Sequence, residues 1–227
     1  MQLGSLLFFC YTLAMWWILF LIDLAVIALH IFARQKLGFF DLDKEGNLNS
    51  VYSGLKLWGV GGLAFVHAAI ISKLNVRWWR SWLWIAFGAG LIYIGLDDMM
   101  VLHERLGFVI NNLTGNGGFY GESFNWLFYF LPAMIAAVIV FVALIRELWR
   151  DSHSAAVWLL FGLGLWVASI GSEFVGRQLL LAETINVPLY HRLIIAEEAF
   201  EMFGASCIAV AVSVAVRALV HARVRIN

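Results

Sequence analysis

Acidic side chains and histidines occur together in three apolar segments of the chain, and these residue types can bind a divalent metal ion or move protons. The residues concerned are Asp97, Asp98, His103, Glu104, Glu173, His191, Glu197, Glu198 and Glu201. An ionised side chain at the centre of a bilayer costs about 2.5–3.5 kcal/mol on insertion scales, so ionisable residues in apolar segments are functional candidates. Carboxylate and imidazole ligands together suit iron, manganese or zinc.

The spacing of residues in the first two of these segments predicts which side chains share one face of a helix. Asp97 and Glu104 are seven residues apart, which places them on one face of a continuous helix. Glu173 and Arg177 are four residues apart, so they can pair along one helix.

The third cluster follows a helix start signal, because proline is favoured in the first turn of a helix. A helix that begins near Pro188 places His191, Glu198 and Glu201 on one stripe, and Glu197 next to Glu201.

Long apolar segments must position these clusters. The chain has 227 residues, of which 63% are hydrophobic and 13% are charged, against about 25% charged in an ordinary soluble domain. This composition excludes a soluble enzyme, a disordered chain and a nucleic-acid-binding protein. About 20 apolar residues cross a bilayer, and six runs are long enough or nearly so: 3–33, 54–72, 80–104, 124–146, 154–177 and 190–218.

These six runs predict an all-α integral membrane bundle, formed by residues 1–227 as a single domain. Of the fifteen Lys and Arg residues, eight lie on the side of the two termini and seven on the other. This slight excess favours the orientation N-in, C-in. No internal repeat is evident in the sequence. The second run contains Gly54, Gly59, Gly61 and Gly62, which predicts tight packing against a neighbouring helix.

The predicted topology brings the acidic clusters to one level, in the outer half of the membrane. Asp23, two-thirds along the first run, falls in the same half. Carboxylates this close cannot all stay ionised without a cation. We therefore predict a divalent-metal site with the ligands Asp97, His103, Glu104, Glu173, His191, Glu198 and Glu201, supported by Asp23, Asp98, Arg177 and Glu197. Bound protons or a structural network of salt bridges would also neutralise the charge.

Two other features have simpler interpretations. His67 lies in the middle of the second run, and a lone histidine there is more often a core residue than a ligand. Residues 41–52 resemble an EF-hand calcium loop, but Tyr52 replaces the bidentate glutamate at position twelve. A polar turn before the second helix is the favoured interpretation of this segment.

Two motifs resemble those of a known group of proteins. Residues 96–104 fit L-D-[DE]-x3-L-H-E, and residues 197–204 fit E-E-x2-E-M-x-G. Together with the loop that begins at Asp41, they resemble uncharacterised bacterial multi-pass inner-membrane proteins. The resemblance implies a bacterial inner-membrane location and gives weight to these positions, but it implies no reaction.

Three functions fit the sequence. The first is a metal-dependent membrane enzyme, a hydrolase or an oxidase, that acts on lipid-like substrates at bilayer depth. The second is a cation or proton transporter or channel that uses the same carboxylates, and the third is a structural subunit of a membrane complex. The lipid bilayer is the expected partner in all three cases, nucleic acid is not, and a homo-oligomer is compatible with each.

Overall fold

The computed structural model describes residues 2–33, 48–74, 78–113, 125–181 and 187–224. Within these ranges the chain forms helices and no strand: α1 (Gln2–Ala33), α2 (Leu48–Lys73), α3 (Trp78–Met100), α4 (Leu102–Leu113), α5 (Asn125–Asp151), α6 (His153–Leu181) and α7 (Val187–Val224). All of these except α4 contain a segment long and apolar enough to cross a membrane. The prediction of an all-α bundle of six membrane-spanning helices is therefore confirmed, and the chain is a multi-pass membrane protein.

Helices α2 and α3 form a closely packed antiparallel hairpin through paired glycines. A Cβ atom added at Gly61 would lie 2.8 Å from the carbonyl oxygen of Gly88, and one added at Gly54 would lie 2.6 Å from that of Gly95. Such distances leave no room for a side chain, so the backbones of the two helices touch. The predicted tight packing of this span is confirmed, and Gly54 and Gly61 provide it. A Cβ atom added at Gly59 or Gly62 would meet no atom of the described residues within 4 Å.

Helices α6 and α7 form a second hairpin of the same design. A Cβ atom added at Gly162 would lie 2.8 Å from the carbonyl oxygen of Gly204. Four residues after Gly162, the indole of Trp166 donates a hydrogen bond to the carbonyl oxygen of Glu201, 3.3 Å away. That acceptor lies three residues before Gly204.

The first hairpin repeats this arrangement residue by residue. Trp58 lies four residues after Gly54, and its indole donates to the carbonyl oxygen of Ile92 at 3.1 Å, three residues before Gly95. Both hairpins thus carry the motif G-L-x-L-W on their first helix, at residues 54–58 and 162–166. The expectation of no internal repeat is wrong, because each hairpin is one copy of a repeated unit.

The two hairpins have opposite directions in the bundle. Asn49 of α2 bonds Glu198 of α7, and Lys56, further along α2, bonds Ser206, further along α7. Helices α2 and α7 are therefore parallel, so α6, which is antiparallel to α7, is also antiparallel to α2. Each hairpin is preceded by one long helix, and that helix packs against the last helix of the other unit: α1 against α7, and α5 against α3. The bundle consists of two three-helix units in inverted orientation.

The apolar core lies where the two units meet. Its buried side chains come from five helices and include Leu57, Leu91, Leu144, Leu159 and Ile208. Because the lipid-facing side chains of the bundle are equally apolar, close packing rather than apolar character distinguishes this core from the outer surface.

Two helix boundaries differ from the sequence prediction. The third span ends at Met100 rather than at residue 104, because Val101 has a φ of 57°, a conformation that redirects the chain into α4. Asp97 and Glu104 therefore lie on different helices, and the prediction that they share one helical face is wrong. Helix α2 begins at Leu48, six residues earlier than predicted, and its added turns carry polar side chains into the bundle.

Candidate functional site

A buried ion pair lies at the junction of the two units. Asp23 of α1 is fully buried, and the Nζ atom of Lys56 lies 2.8 Å from its Oδ1 atom. Tyr52 donates a hydrogen bond to the same oxygen at 2.7 Å, and Ser206 donates to Oδ2 at 2.6 Å. Both carboxylate oxygens of Asp23 are therefore hydrogen-bonded. Hydrogen bonds to both oxygens offset part of the free-energy cost of burying a carboxylate.

The ammonium group of Lys56 has partners beyond Asp23. It donates to the carbonyl oxygen of Met202 at 2.8 Å and to the hydroxyl of Ser206 at 3.1 Å. It also lies 4.8 Å from the centre of the Tyr52 ring, within cation–π range. Because Asp23 and Lys56 belong to the first unit and Met202 and Ser206 to the second, the two units share this charge network.

The first turns of α2 carry polar side chains that are buried inside the bundle. Asn49, Ser53 and Lys56 are all buried, and their spacing of i, i+4 and i+7 places them on one face of the helix. The same face continues with the apolar residues Val60 and Ala64. The polar site is therefore confined to one half of the bundle, which we call the acidic half.

A carboxylate group on α7 lies beside the ion pair. Asn49 donates a hydrogen bond from its side-chain amide to Glu198. Asp98, Glu197 and Glu201 all lie within electrostatic range of Glu198. We call Asp98, Glu197, Glu198 and Glu201 the carboxylate cluster. It adjoins the ion pair directly, because Asp98 is also within electrostatic range of Lys56.

The second unit contributes a further hydrogen bond to the cluster. Ser169 of α6 is buried and donates to Oε1 of Glu201 at 2.9 Å. Ser169 occupies the position in the second hairpin that Gly61 occupies in the first, counted from the repeated motif. The repeat therefore carries a polar group at this position only in the second unit, which holds three of the four carboxylates of the cluster.

The predicted ligands have different places in the structure. Asp98, Glu197 and Glu201 lie within electrostatic range of Glu198, and Asp98 lies within electrostatic range of Lys56, the partner of Asp23. Asp97, Glu173 and His191 are partly buried on α3, α6 and α7. His103 and Glu104 lie on α4 and Arg177 lies on α6, but the side chains of these three are outside the described part of the structure. Among the described residues, no three His, Cys, Asp or Glu side chains form a group that could hold a metal ion.

Sequence reasoning missed five residues of the site, four of which are fully or almost fully buried: Asn49, Lys56, Ser169 and Ser206, together with the partly buried Tyr52. Lys56 gave the clearest signal, because it stands between Leu55 and Leu57 inside an apolar run. It was counted only as a basic residue of one side. Tyr52 was assigned to the last position of a calcium-loop pattern, but in the structure it lies on α2 and bonds Asp23. Residues 41–47 of that pattern lie outside the described residues.

The opposite half of the bundle contains a separate set of polar groups. His67 is buried with its ring centre 4.0 Å from that of Trp84, so it is a core residue away from the carboxylates, as predicted. Arg80 bonds Asp151 and lies 2.8 Å from an oxygen of Glu147. On α2, eleven residues separate Lys56 from His67, a rise of about 16 Å along the helix.

This arrangement can bind positive charge in the acidic half of the bundle. One ammonium group is already held there by three oxygen atoms, and the carboxylate cluster lies near it. Comparison with curated proteins and with solved structures finds no match. One family model matches residues 5–216, which include every helix of both units except the ends of α1 and α7. The chain belongs to that family, described as Domain of unknown function (DUF8692).

Proposed function

We propose that the chain is a membrane transporter for a cation or for protons, with its binding site at the junction of the two inverted units. The observation that carries the proposal is the buried Asp23–Lys56 ion pair, which also bonds Met202 and Ser206 of the other unit. In transporters built from inverted repeats, substrate and ion sites lie near the middle of the bilayer at the interface between the repeats. The buried ion pair lies at the interface between the two units of this chain.

The charges of the site support the same proposal. Asp98, Glu197 and Glu201 all lie within electrostatic range of Glu198, so the cluster carboxylates repel one another when they are ionised. A cation or protons that bind among them would reduce this repulsion. Their release would restore it, which is how a binding site can be loaded and emptied.

The apolar stretch of α2 supports a transporter rather than an open channel. The buried face between Lys56 and His67 carries Leu57, Val60 and Ala64, and these side chains separate the polar groups of the two halves. A substrate bound in the acidic half can reach the other side only if the two units move relative to each other. The inverted arrangement provides two units that can do so.

Flux measured in proteoliposomes tests the proposal. Purified protein is reconstituted with an internal pH dye and, in parallel, with dyes for Na⁺ and K⁺. We expect protein-dependent flux of protons or of one of these cations that is lost in Glu198→Gln. The matched control is Asp151→Asn, an exposed carboxylate at the other end of the bundle, which should retain flux. Wild-type vesicles that match protein-free vesicles for every ion would refute the proposal.

A metal-dependent membrane enzyme is the second candidate. Glu198 and Glu201, one turn apart on α7, lie within electrostatic range of each other and of Asp98, and carboxylates so placed attract divalent cations. With iron, manganese or zinc bound there, a hydrolase or oxidase for lipid-like substrates is the corresponding activity. Elemental analysis of the purified protein decides between the candidates. One or two equivalents of metal, lost in an Asp97→Ala/Glu198→Ala double variant, would favour the enzyme, and no metal after reloading would eliminate it.

The cellular location of the chain is a further part of the proposal. The motifs at residues 96–104 and 197–204 resemble those of bacterial inner-membrane proteins, and on that basis we assign the chain to the bacterial inner membrane. Fractionation of a bacterial host that expresses the tagged chain, with reporter fusions at both termini, tests this location and the N-in, C-in orientation. A third function, that of a structural subunit, predicts that the chain co-purifies with fixed partners and conducts no flux.

A further inference from the structure

We propose that the ammonium group of Lys56 occupies a monovalent-cation site, and that a free monovalent cation binds there when Lys56 moves away. This inference rests on the proposed transport function, because it names the class of substrate. It goes further in assigning the binding atoms and in giving Lys56 the role of a tethered competitor. The site consists of Asp23, Ser206 and the carbonyl group of Met202.

The oxygen atoms around Lys56 form the binding site itself. Oδ1 of Asp23 and the carbonyl oxygen of Met202 each lie 2.8 Å from the Nζ atom, and the hydroxyl oxygen of Ser206 lies 3.1 Å from it. The set contains one full negative charge and two neutral oxygens, and both charged groups of the pair are almost entirely buried. Such a set neutralises a single positive charge, whereas a divalent ion would leave one charge uncompensated.

The repeat indicates that the lysine is not needed for helix packing. In the motif G-L-x-L-W, Lys56 occupies the middle position of the first copy, and Gly164 occupies it in the second. A Cβ atom added at Gly164 would meet nothing within 4 Å. The second hairpin makes the same glycine and tryptophan contacts without a long side chain there. Lys56 is therefore an addition specific to the ion-binding junction.

Lys56 has a second carboxylate within its range. Asp98 of α3 belongs to the same unit as Lys56 and lies within electrostatic range of it, whereas Met202 and Ser206 belong to the other unit. When the units move apart, Lys56 loses the two oxygens of α7, whereas Asp23 and Asp98 stay in its own unit. Movement of the ammonium group from Asp23 toward Asp98 then opens Asp23 to a free cation.

Removal of the tethered ammonium group tests the site directly. Lys56→Ala is purified in choline chloride, whose cation is too large for the site, and its thermal unfolding is followed while ammonium or potassium chloride replaces choline at constant ionic strength. We expect a saturable rise in Tm, of about 5–10 °C at roughly 100 times Kd. Wild type, in which Lys56 fills the site, should change little over the same range. Lys56→Ser provides a second small side chain if Lys56→Ala does not fold.

The control variant is Asp23→Asn/Lys56→Ala, which lacks the charge of the site and should not respond to ammonium or potassium. The inference is overturned if the single and double variants respond equally, or if neither small variant responds more than wild type. The outcome is independent of flux, because binding is measured in detergent. A wild type that transports ions, combined with an unresponsive Lys56→Ala, would reject this inference alone. A responsive Lys56→Ala, combined with a wild type without flux, would uphold the cation site and reject transport.

Discussion

Replacement of Asp23 by asparagine should destabilise the protein far more than the loss of one hydrogen bond. The asparagine side chain keeps the size of aspartate and can still bond Tyr52 and Ser206, but it leaves the ammonium group of Lys56 buried without its counter-charge. Breaking a buried ion pair by removal of one partner costs about 3–5 kcal/mol. For a chain of 150–250 residues, 1 kcal/mol corresponds to about 2–4 °C in Tm, so the expected decrease is about 6–20 °C.

The assay is thermal unfolding in detergent, followed by the fluorescence of the eleven tryptophans. The matched control is Asp151→Asn, whose carboxylate pairs with Arg80 but has a side chain that is 50% exposed. An exposed ion pair contributes about 0–1 kcal/mol, so this variant should unfold within a few degrees of wild type.

A double variant shows whether the cost comes from the unpaired charge. Asp23→Asn/Lys56→Met removes both charges, and buried ion pairs replaced by apolar groups of similar volume are often neutral in stability. We expect this double variant to recover most of the lost Tm. If Asp23→Asn unfolds at the same temperature as Asp151→Asn, or if the double variant is as unstable as the sum of the two single ones, the reasoning is wrong.

Three further predictions concern other parts of the bundle. Gly61→Ala should cost about 1–3 kcal/mol of stability, because the added methyl group would lie 2.8 Å from the carbonyl oxygen of Gly88. The control Gly59→Ala, whose methyl group would meet no described atom within 4 Å, should be neutral or stabilising. Equal Tm values for the two variants would contradict the packing. His67→Leu should keep wild-type stability, since the buried Nδ1 atom of His67 has no hydrogen-bond partner among the described residues and an apolar side chain of similar volume has no such cost. A large loss in Tm would mean that the imidazole is bonded. Val101→Gly should be at least as stable as wild type, because a β-branched residue at a φ of 57° is strained by about 1–3 kcal/mol; a marked loss in thermal stability would reject that strain.

The sequence is sufficient to predict the fold class because apolar length alone determines which segments cross a bilayer. Helix boundaries required more than apolar length. The residues before and after Val101 include neither glycine nor proline, so nothing in the local sequence indicates that α3 ends there. The polar residues at the start of α2 suggested a loop, since the stripe of Asn49, Ser53 and Lys56 becomes meaningful only when Asp23 and α7 are known to face it.

Only the acidic residues of the candidate site could be predicted from the sequence. The carboxylates of α7 and Asp98 stand out because they are ionisable residues in apolar runs, and the predicted topology places them in the same half of the membrane as Asp23. Glycine spacing in α2 indicated a close contact, but the choice between the face of Gly61 and that of Gly59 depends on where α3 lies. The repeat is hard to recognise in the sequence, because only four residues of the five-residue motif are identical in the two copies. The two hairpins also have opposite directions in the bundle.

The position of the ion pair in the chain has a consequence for synthesis and membrane insertion. Asp23 and Lys56 are 33 residues apart, whereas Lys56 and Ser206 are 150 residues apart. At about 5–20 residues per second, the ribosome takes roughly 8–30 s to go from Lys56 to Ser206. The two charged groups can therefore neutralise each other as α1 and α2 enter the bilayer together, well before α7 exists. The unit that is synthesised first therefore enters the lipid with its two charged groups already paired. The second unit later completes the site, after the free-energy cost of inserting these charges has been reduced.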